Sequence, residues 1–484
     1  MRMSYKHGVY VSEIPTAIVP PVRSDAALPV VIGSAPVNLS LDGKGKVNEP
    51  VLCYSYQEAV QALGYSANWK DYTLCEFIYS QFALYAVGPV VLINVLDPVT
   101  HKSSVPTESV TLNADGEAIL KNKGVLLSSV VIKTDATTNK LNTDYVLSFN
   151  NEEECVISRI PTGTITEGAT LTVEYDYLDP SAVASTDIVG GVDIATGKKK
   201  GLELINEIFP RFRLIPGQIV APGWSDDPVV AAVMTAKASN INEHFKAIAI
   251  TDIPTDEVTL YTDVAAWKNT NNYMDKLQVV CWPKLKLGDK TFHMSTHVAG
   301  VICKTDADNE DIPYMSPSNK SFQANSVVLD SGEEVWLGPD QAAYLNGQGV
   351  VTGLNFIGGW KCWGNRTGVY PSVTDPKDAF IPLRRMFNWI GNTLVQTFWQ
   401  KVDYPINKRL IETIVDSANI WLNGLSARQF ILGGRVEFLQ EENPTTDLMD
   451  GIVKFHVYIT PPTPAREIDF LLEYDPAYLQ TLFA

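Results

Sequence analysis

Two histidines offer the most direct route to metal chemistry in this 484-residue sequence. His293 and His297 stand four residues apart, so a helix would place both imidazoles on one face. Histidine pairs at this spacing bind zinc in helical metal sites. The intervening Met-Ser-Thr lacks the glutamate base of a zinc protease, and the sequence offers no evident third ligand. We therefore interpret both histidines as structural residues and predict no metal site.

The string Thr296-His-Val-Ala-Gly300 resembles the sequence around the catalytic histidine of subtilisin-like proteases. In that pattern the histidine stands two residues before the threonine, where this chain has Met294. A serine in a Gly-Thr-Ser-Met-type turn is also required downstream, and no such turn follows in the sequence. The string is therefore predicted to belong to an ordinarily packed helix.

Two other motifs fall short of a catalytic site. The segment Gly191–Lys198 has one residue too many between its glycines for a phosphate-binding loop, and Lys199 replaces the magnesium-binding hydroxyl. Asp330-Ser-Gly332 resembles one half of an aspartic-protease site, which needs two facing carboxylates. We predict a surface turn at each place, no catalytic residues and no cofactor. An α/β hydrolase or nucleotide binder is the competing hypothesis, but it lacks a catalytic constellation.

The elements around these motifs predict a multidomain α+β protein. Apolar strand patterns alternate with helical ones over residues 26–100 and 186–357, which is typical of an α/β core with a mainly parallel sheet. Residues 101–185 instead contain short alternating segments between Asn, Asp, Gly and Thr clusters, which indicates a small inserted all-β domain. The pair Gly358-Gly359 is taken as the joint to a C-terminal module that spans residues 358–464.

The C-terminal module is predicted to contain two helices and a strand. Helical periods run from Pro382 to Val402 and again from Leu410, with Asn423-Gly424 as a possible end of the second helix. The alternation then changes to a period of two from Gly451 to Thr460, which indicates a strand with one buried face. The residues predicted to form the module's core are Leu383, Phe387, Ile390, Leu394, Phe398, Ile414 and Trp421.

Both ends of the chain look like strands on stiff connections. Residues 1–25 contain a short alternating strand followed by Pro15, Pro20 and Pro21, and residues 465–484 follow the rigid Pro461-Pro-Thr-Pro464. Such strands are suited to adding an edge to a sheet of a neighbouring subunit. The residues predicted to make these inter-subunit contacts are Val9, Tyr10, Val11, Ile14, Ile468, Phe470, Leu472 and Tyr474.

Composition bears on several other functions. A formal net charge of −17 disfavours direct binding to nucleic acid, which depends on Lys and Arg neutralising phosphates. No run of eighteen apolar residues is present, and no apolar stretch follows the basic start, so we predict neither membrane insertion nor a secretion signal. Six cysteines without a C-x-x-C pair are predicted to be reduced and buried.

Several motifs, in this order along the chain, resemble the contractile phage tail sheath family, including its shorter, R-type-pyocin-like members. They are His7–Ile14, Val30–Pro36, the two helices between residues 382 and 422, and Tyr458–Pro462 with the apolar tail. One further motif of this family resemblance consists of Trp363, Gly364, Asn365, Arg366 and Thr367.

The resemblance implies a structural subunit without enzymatic activity. It would form stacked hexameric rings around a tail tube, meet baseplate and tail terminator proteins, and contract to drive the tube through the host envelope for genome ejection. It would be assembled in the host cytoplasm and become part of the virion. The sheath of an R-type bacteriocin or related injection system is the alternative. Arg366 is expected to anchor a carboxylate, either within the module or across a subunit contact.

Overall fold

The structure is a computed structural model that describes residues 26–41, 43, 45–135 and 137–483. The predicted N-terminal arm, with Val9, Tyr10, Val11 and Ile14, lies outside the described residues. The described chain has a mixed α and β architecture with one large sheet and several small ones.

The large sheet, called the main sheet below, has eight strands. Its six central strands are parallel, and the strand at each edge is antiparallel to its neighbour. The central strands are almost entirely buried, which explains their continuous apolar runs. From one edge to the other, the strands are Val51–Cys53, Val90–Asn94, Pro29–Gly33, Gln218–Val220, Ile248–Asp252, Gln278–Cys281, Val350–Asn355 and Trp360–Trp363.

Helices pack against both faces of the main sheet. Successive side chains of one strand enter different cores: Val279 belongs to the larger apolar cluster and Val280 to a smaller one. Among the described residues, no helix combines the length and apolarity needed to cross a membrane. The helices of this region are Tyr56–Leu63, Thr73–Ile78, Ser185–Val189, Ile205–Phe212, Pro228–Ser239, Tyr261–Thr270, Met294–Ala307 and Pro339–Gly347, and Tyr79–Leu84 is a π-helix.

Between residues 102 and 178 the described chain forms seven β-strands and one short 3₁₀ helix, with a core of their own around Val125, Ile132 and Val173. The strands form a four-stranded and a three-stranded sheet. They are Lys102–Thr111, Glu117–Lys123, Val131–Thr134, Thr137–Thr138, Tyr145–Phe149, Glu154–Arg159 and Thr170–Leu178. The limits of this segment as an independent domain stay a prediction.

A hairpin of the main sheet crosses the predicted joint at residue 358. The strands Val350–Asn355 and Trp360–Trp363 are antiparallel, and Gly358 and Gly359, with φ of 77° and 86°, lie in the turn between them. A Gly-Gly pair is as typical of a tight turn as of a linker, because glycine adopts positive φ angles readily in both. The predicted boundary at 358 therefore falls inside one hairpin, and the division of the chain into domains stays a prediction. A separate three-stranded sheet contains Lys284–Leu287, Lys290–Phe292 and Ser326–Val328.

The C-terminal region consists of helices around a two-stranded antiparallel sheet, Gly433–Glu437 with His456–Thr460. The strand His456–Thr460 begins later than the predicted Gly451. The Asn443 side chain hydrogen-bonds to the backbone N–H and carbonyl of Lys454, so these two groups are not available for strand pairing. Asn423-Gly424 is not a helix end, since the second helix continues past it. The helices are Pro376–Ala379, Ile381–Phe398, Lys408–Ala427 and Thr445–Met449.

The core of this module gathers around Met386, Trp389 and Leu422. Of the predicted core residues, Ile390 is buried in this cluster, and Leu394, Phe398 and Trp421 line it half-buried. Leu383 is buried outside the cluster, while Phe387 and Ile414 are half-buried outside it. The predicted core roles of the seven residues stay predictions.

Candidate assembly interface

The C-terminal segment leaves the module directly after the strand His456–Thr460. Pro461 is buried and Pro464 is half-buried, and every described side chain from Ala465 to Leu482 is exposed. Residues 466–474, whose sequence is strand-like, form no strand with any described part of the chain, and Pro476–Phe483 is a short 3₁₀ helix. This segment, called the tail below, therefore leaves its large apolar side chains exposed within the described chain.

The tail has an apolar and a polar side. Ile468, Phe470, Leu472 and Tyr474 are 70%, 85%, 96% and 75% exposed, and they alternate along the chain. In an extended strand they would share one face, because successive side chains point to opposite faces. The other face would carry Glu467, Asp469, Leu471 and Glu473. Four large exposed side chains on one face indicate a surface that needs a partner. Their predicted inter-subunit role stays a prediction.

The two-stranded sheet of the module offers one edge more readily than the other. On the outer edge of Gly433–Glu437, the Asn419 side-chain amide donates to the Val436 carbonyl at 3.0 Å and accepts from the Val436 N–H at 2.7 Å. This edge is thus occupied in its middle. Among the described residues, the strand His456–Thr460 pairs only with Gly433–Glu437. Its other edge is the one suited to accept an added strand.

The N-terminal segment joins the described chain beside this module. The Ala26 carbonyl accepts a hydrogen bond from Arg385 at 3.3 Å, and the Ala27 carbonyl accepts one from the Gln218 side chain at 2.9 Å. The Leu28 carbonyl accepts from the Gly217 N–H at 2.9 Å. Three successive carbonyls are therefore fixed at the entrance to the strand Pro29–Gly33.

A buried ion pair connects the module to the main-sheet region at this point. Arg385, in the helix Ile381–Phe398, makes a two-pronged contact with the Asp306 carboxylate, in the helix Met294–Ala307. Asn388 and Asn392 of the same module helix donate to the carbonyls of Ala247 and Lys246. These polar residues therefore occupy the face of the module helix that meets the main-sheet region.

The motif Trp363–Thr367 lies between the main sheet and the module. Gly364 has φ of 145°, and a Cβ there would lie 2.9 Å from the Val351 Cα, so a larger residue would not fit. The Thr367 hydroxyl donates to the Asp378 carbonyl at 2.6 Å. The motif therefore fixes the path of the chain from the sheet into the first module helix.

Within this motif, the Arg366 guanidinium contacts two aromatic rings. It is 4.2 Å from the Tyr370 ring centroid and 3.7 Å from that of Phe380, and both contacts are cation–π interactions. Burial lowers the pKa of the Arg366 guanidinium from its usual value, and Arg466 lowers it further, against the effect of Tyr370. None of the ion pairs among the described residues involves Arg366, so the expected carboxylate within the module is not among them.

The histidines and the aspartate of the short motifs considered for catalysis contact other side chains of the fold. The His293 ring lies 2.8 Å from the Glu76 carboxylate, and that of His297 lies 2.9 Å from the Tyr85 hydroxyl. Burial lowers the pKa of His297 to about 3, so its imidazole is neutral. No group of His, Cys, Asp and Glu among the described residues has metal-binding geometry. Asp330 forms an ion pair with Lys284 at the surface.

Comparison with known proteins decides the family. The chain is 30% identical over 504 aligned residues to the tail sheath protein of Burkholderia phage BcepMu, and the alignment covers 100% of this chain and 99% of the relative. The chain belongs to the tail sheath protein family. The resemblance found in the sequence motifs is thus confirmed. No general family model matches the chain.

Solved sheath structures share the fold of this sheath protein. The contracted sheath of an extracellular contractile injection system, PVC, has a TM-score of 0.58 and covers 99% of this chain and 100% of its own. The contracted helical sheath of the anti-feeding prophage has a TM-score of 0.56, with 98% and 100% covered. Both are 14% identical to this chain. These likenesses agree with the mixed α and β architecture.

Sequence reasoning missed the long-range polar contacts of the C-terminal module. Arg385 and Asp306 stand 79 positions apart, and Asn419 reaches Val436 across the module. Arg385, Asn388 and Asn392 lie on the face of the helix opposite its apolar stripe. The sequence gives no local signal that this polar face is buried, because a polar helix face is usually exposed to solvent.

Proposed function

We propose that this chain is the structural subunit of a contractile tail sheath. Copies polymerise as stacked hexameric rings around a tail tube, and contraction drives the tube through a host envelope. The observation that carries the proposal is the exposed apolar face of the tail, next to an open sheet edge of the module. The full-length likeness to a phage tail sheath protein supports a role in the virion, assembled in the host cytoplasm.

The tail of one copy adds to the open edge of His456–Thr460 in another copy. Main-chain hydrogen bonds to that edge set the register, and burial of the alternating apolar side chains supplies most of the free energy. Burying one such side chain contributes about 1.5–3 kcal/mol. The side chains involved are Ile468, Phe470, Leu472 and Tyr474.

The N-terminal residues 1–25 make the second link, with Val9, Tyr10, Val11 and Ile14 on the incoming strand. Their attachment point at Ala26 supports this, because Arg385 holds its carbonyl against the module helix. Contacts with the tube, baseplate and terminator proteins belong to the same proposal. The shared fold of the injection-system sheaths favours the sheath of a bacteriocin-like machine as the second candidate.

The test is self-assembly of variants that alter one face of the tail. The triple variant I468S/F470S/L472S removes the apolar face, while E467S/D469S/E473S changes three positions on the other face of the same segment. We expect negative-stain electron microscopy of concentrated protein to show tubes or stacked rings for the wild type and for the second variant. The first variant should remain a folded monomer, because its changed side chains are exposed in the subunit.

Tubes formed equally well by I468S/F470S/L472S would show that the apolar face is not the link. Wild-type protein that stays monomeric at every concentration would contradict self-assembly through these surfaces. Circular dichroism of each variant shows whether the subunit itself is still folded.

A further inference from the structure

A cavity of about 300 Å³ lies where the tail leaves the body of the subunit. One wall is the root of the tail, and the others come from the helix Pro339–Gly347, the loop before residue 320 and the motif Trp363–Thr367. Space of this size holds roughly ten water molecules, and therefore an acidic side chain. The polar side chains that line it include Ser316, Ser318, Asn346, Arg366 and Arg466.

The cavity is rich in hydrogen-bond donors. The Ser318 hydroxyl oxygen accepts from the Gly364 N–H at 3.1 Å, and the Ser316 oxygen accepts from the Ser318 N–H at 3.2 Å. Each hydroxyl proton is thereby left to donate to a ligand. Two guanidinium groups add further donors and positive charge. Such a set of donors favours an anion, and Arg366 suits a carboxylate because its planar group can donate two parallel hydrogen bonds.

The Arg366 guanidinium is held ready for such a ligand. It already contacts the rings of Tyr370 and Phe380, and these two contacts restrict its position before any anion arrives. Arg466, the other cation of the cavity, already contacts the Glu467 carboxylate at 2.9 Å. Arg366 has no carboxylate partner among the described residues, although it lies partly desolvated beside another cation. An ion pair would relieve both unfavourable effects.

We infer that this cavity binds an Asp or Glu side chain from a neighbouring copy of the chain, with Arg366 as the principal ligand. Two observations favour a copy of this chain as the partner. The chain carries 55 acidic against 38 basic residues, so its own surface is rich in carboxylates. The cavity wall also includes Pro464–Arg466, the start of the segment that we propose to cross between copies. The inference rests on the proposed assembly.

The bound carboxylate would hold the root of the tail against the subunit body. Arg366 belongs to the body and Arg466 to the tail, so one anion between them contacts both. The cavity would thus set the direction in which the tail departs, in addition to any strand pairing further along.

A zero-length cross-linker tests the contact directly. A minority of ¹⁵N-labelled R366K protein is assembled into tubes with unlabelled wild type. The tubes are then treated with a carbodiimide, which joins the new lysine amine at position 366 to any carboxylate in contact with it. We expect mass spectrometry to find position 366 joined to an Asp or Glu of an unlabelled chain, at least tenfold more often than in disassembled protein. The control is R409K, on the exposed surface of the helix Lys408–Ala427.

Tubes that yield other cross-links between copies but none at position 366 would overturn the inference, while the proposed assembly would stand. A join only to a carboxylate of the same labelled chain would also overturn it. Wild-type protein gives an independent measurement through the arginine reagent phenylglyoxal. Arg366 should react at least tenfold more slowly in tubes than in monomers, and an equal rate would contradict the contact. If inorganic phosphate slowed the reaction of Arg366 in monomers as much as assembly does in tubes, the cavity would be assigned to a free anion instead.

Discussion

The buried ion pair between Arg385 and Asp306 provides the sharpest test of how the module is attached. Asp306→Asn keeps the size of the side chain but removes its charge, so the Arg385 guanidinium stays buried without a counter-ion. The two side chains are only 3% and 1% exposed, so water cannot replace the lost carboxylate. Removing one member of a buried pair costs about 3–5 kcal/mol.

The same helix supplies a matched control. Lys304 of this helix forms an ion pair with Asp308, the residue directly after the helix end, and the two side chains are 51% and 56% exposed. Asp308→Asn should cost only about 0.3–0.5 kcal/mol, as is usual for surface pairs four residues apart. Both variants make the same chemical change at the C-terminal end of the same helix, so the difference between them measures burial and pairing.

Calorimetry gives the first measurement. A loss of 1 kcal/mol shifts the midpoint of unfolding by about 2–4 °C in a unit of 150–250 residues, so D306N should unfold about 6–20 °C lower than the wild type. Hydrogen exchange of the helix Ile381–Phe398 should accelerate in D306N and remain unchanged in D308N. The double variant D306L/R385M should recover most of the stability, because replacing both charges leaves none unpaired. Equal shifts for D306N and D308N would refute the reasoning.

Two further predictions concern the helix Met294–Ala307. The His297 imidazole has a pKa of about 3 in the folded protein, against 6.5 in the unfolded chain. Between these two pH values only the unfolded chain binds a proton at this residue. The free energy of unfolding therefore falls as the pH falls from 6.5 towards 3. When the pH is lowered from 7 to 5, the free energy of unfolding should fall by about 2 kcal/mol more in the wild type than in H297Q, as measured by urea titration. Equal decreases in the two proteins would contradict the low pKa of His297. Gly300 should not tolerate a methyl group, because its Cβ would lie 2.4 Å from the ring of the buried Tyr85, and overpacking costs about 1–3 kcal/mol. Gly391→Ala should instead stabilise by about 0.5–1 kcal/mol, because Gly391 is helical and an added Cβ would meet nothing within 4 Å beyond the helix's own nearby backbone. Calorimetric shifts of the same sign for the two variants would contradict the argument.

Local patterns in the sequence predict most individual elements of this fold. The apolar run at Val90–Asn94 indicates a buried strand, and the period of Ile390, Leu394 and Phe398 indicates a helix with an apolar stripe. Both elements appear in the structure. These predictions succeed because burial on one or two faces imposes a period that the sequence must satisfy.

Boundaries and long-range polar contacts are harder to predict. Whether Gly358-Gly359 is a turn or a linker depends on whether Trp360–Trp363 pairs with an earlier strand. The start of the last strand depends on the side chain of Asn443, eleven positions before Lys454. Each outcome is decided by a partner distant in sequence, so no local period carries it. The same holds for the candidate interface, where the apolar tail is visible in the sequence but the blocked edge at Val436 is not.

The entrance to the strand Pro29–Gly33 has a mechanical consequence. This strand lies inside the main sheet and is parallel to both neighbours, so tension applied to the preceding residues along its axis would load its two ladders in shear. All of their hydrogen bonds would resist at once, whereas a strand pulled sideways from an edge unzips one bond at a time. The fixed carbonyls of Ala26, Ala27 and Leu28 would take up the tension first. A pull transmitted through the N-terminal segment therefore enters the subunit at a point where it resists extension well.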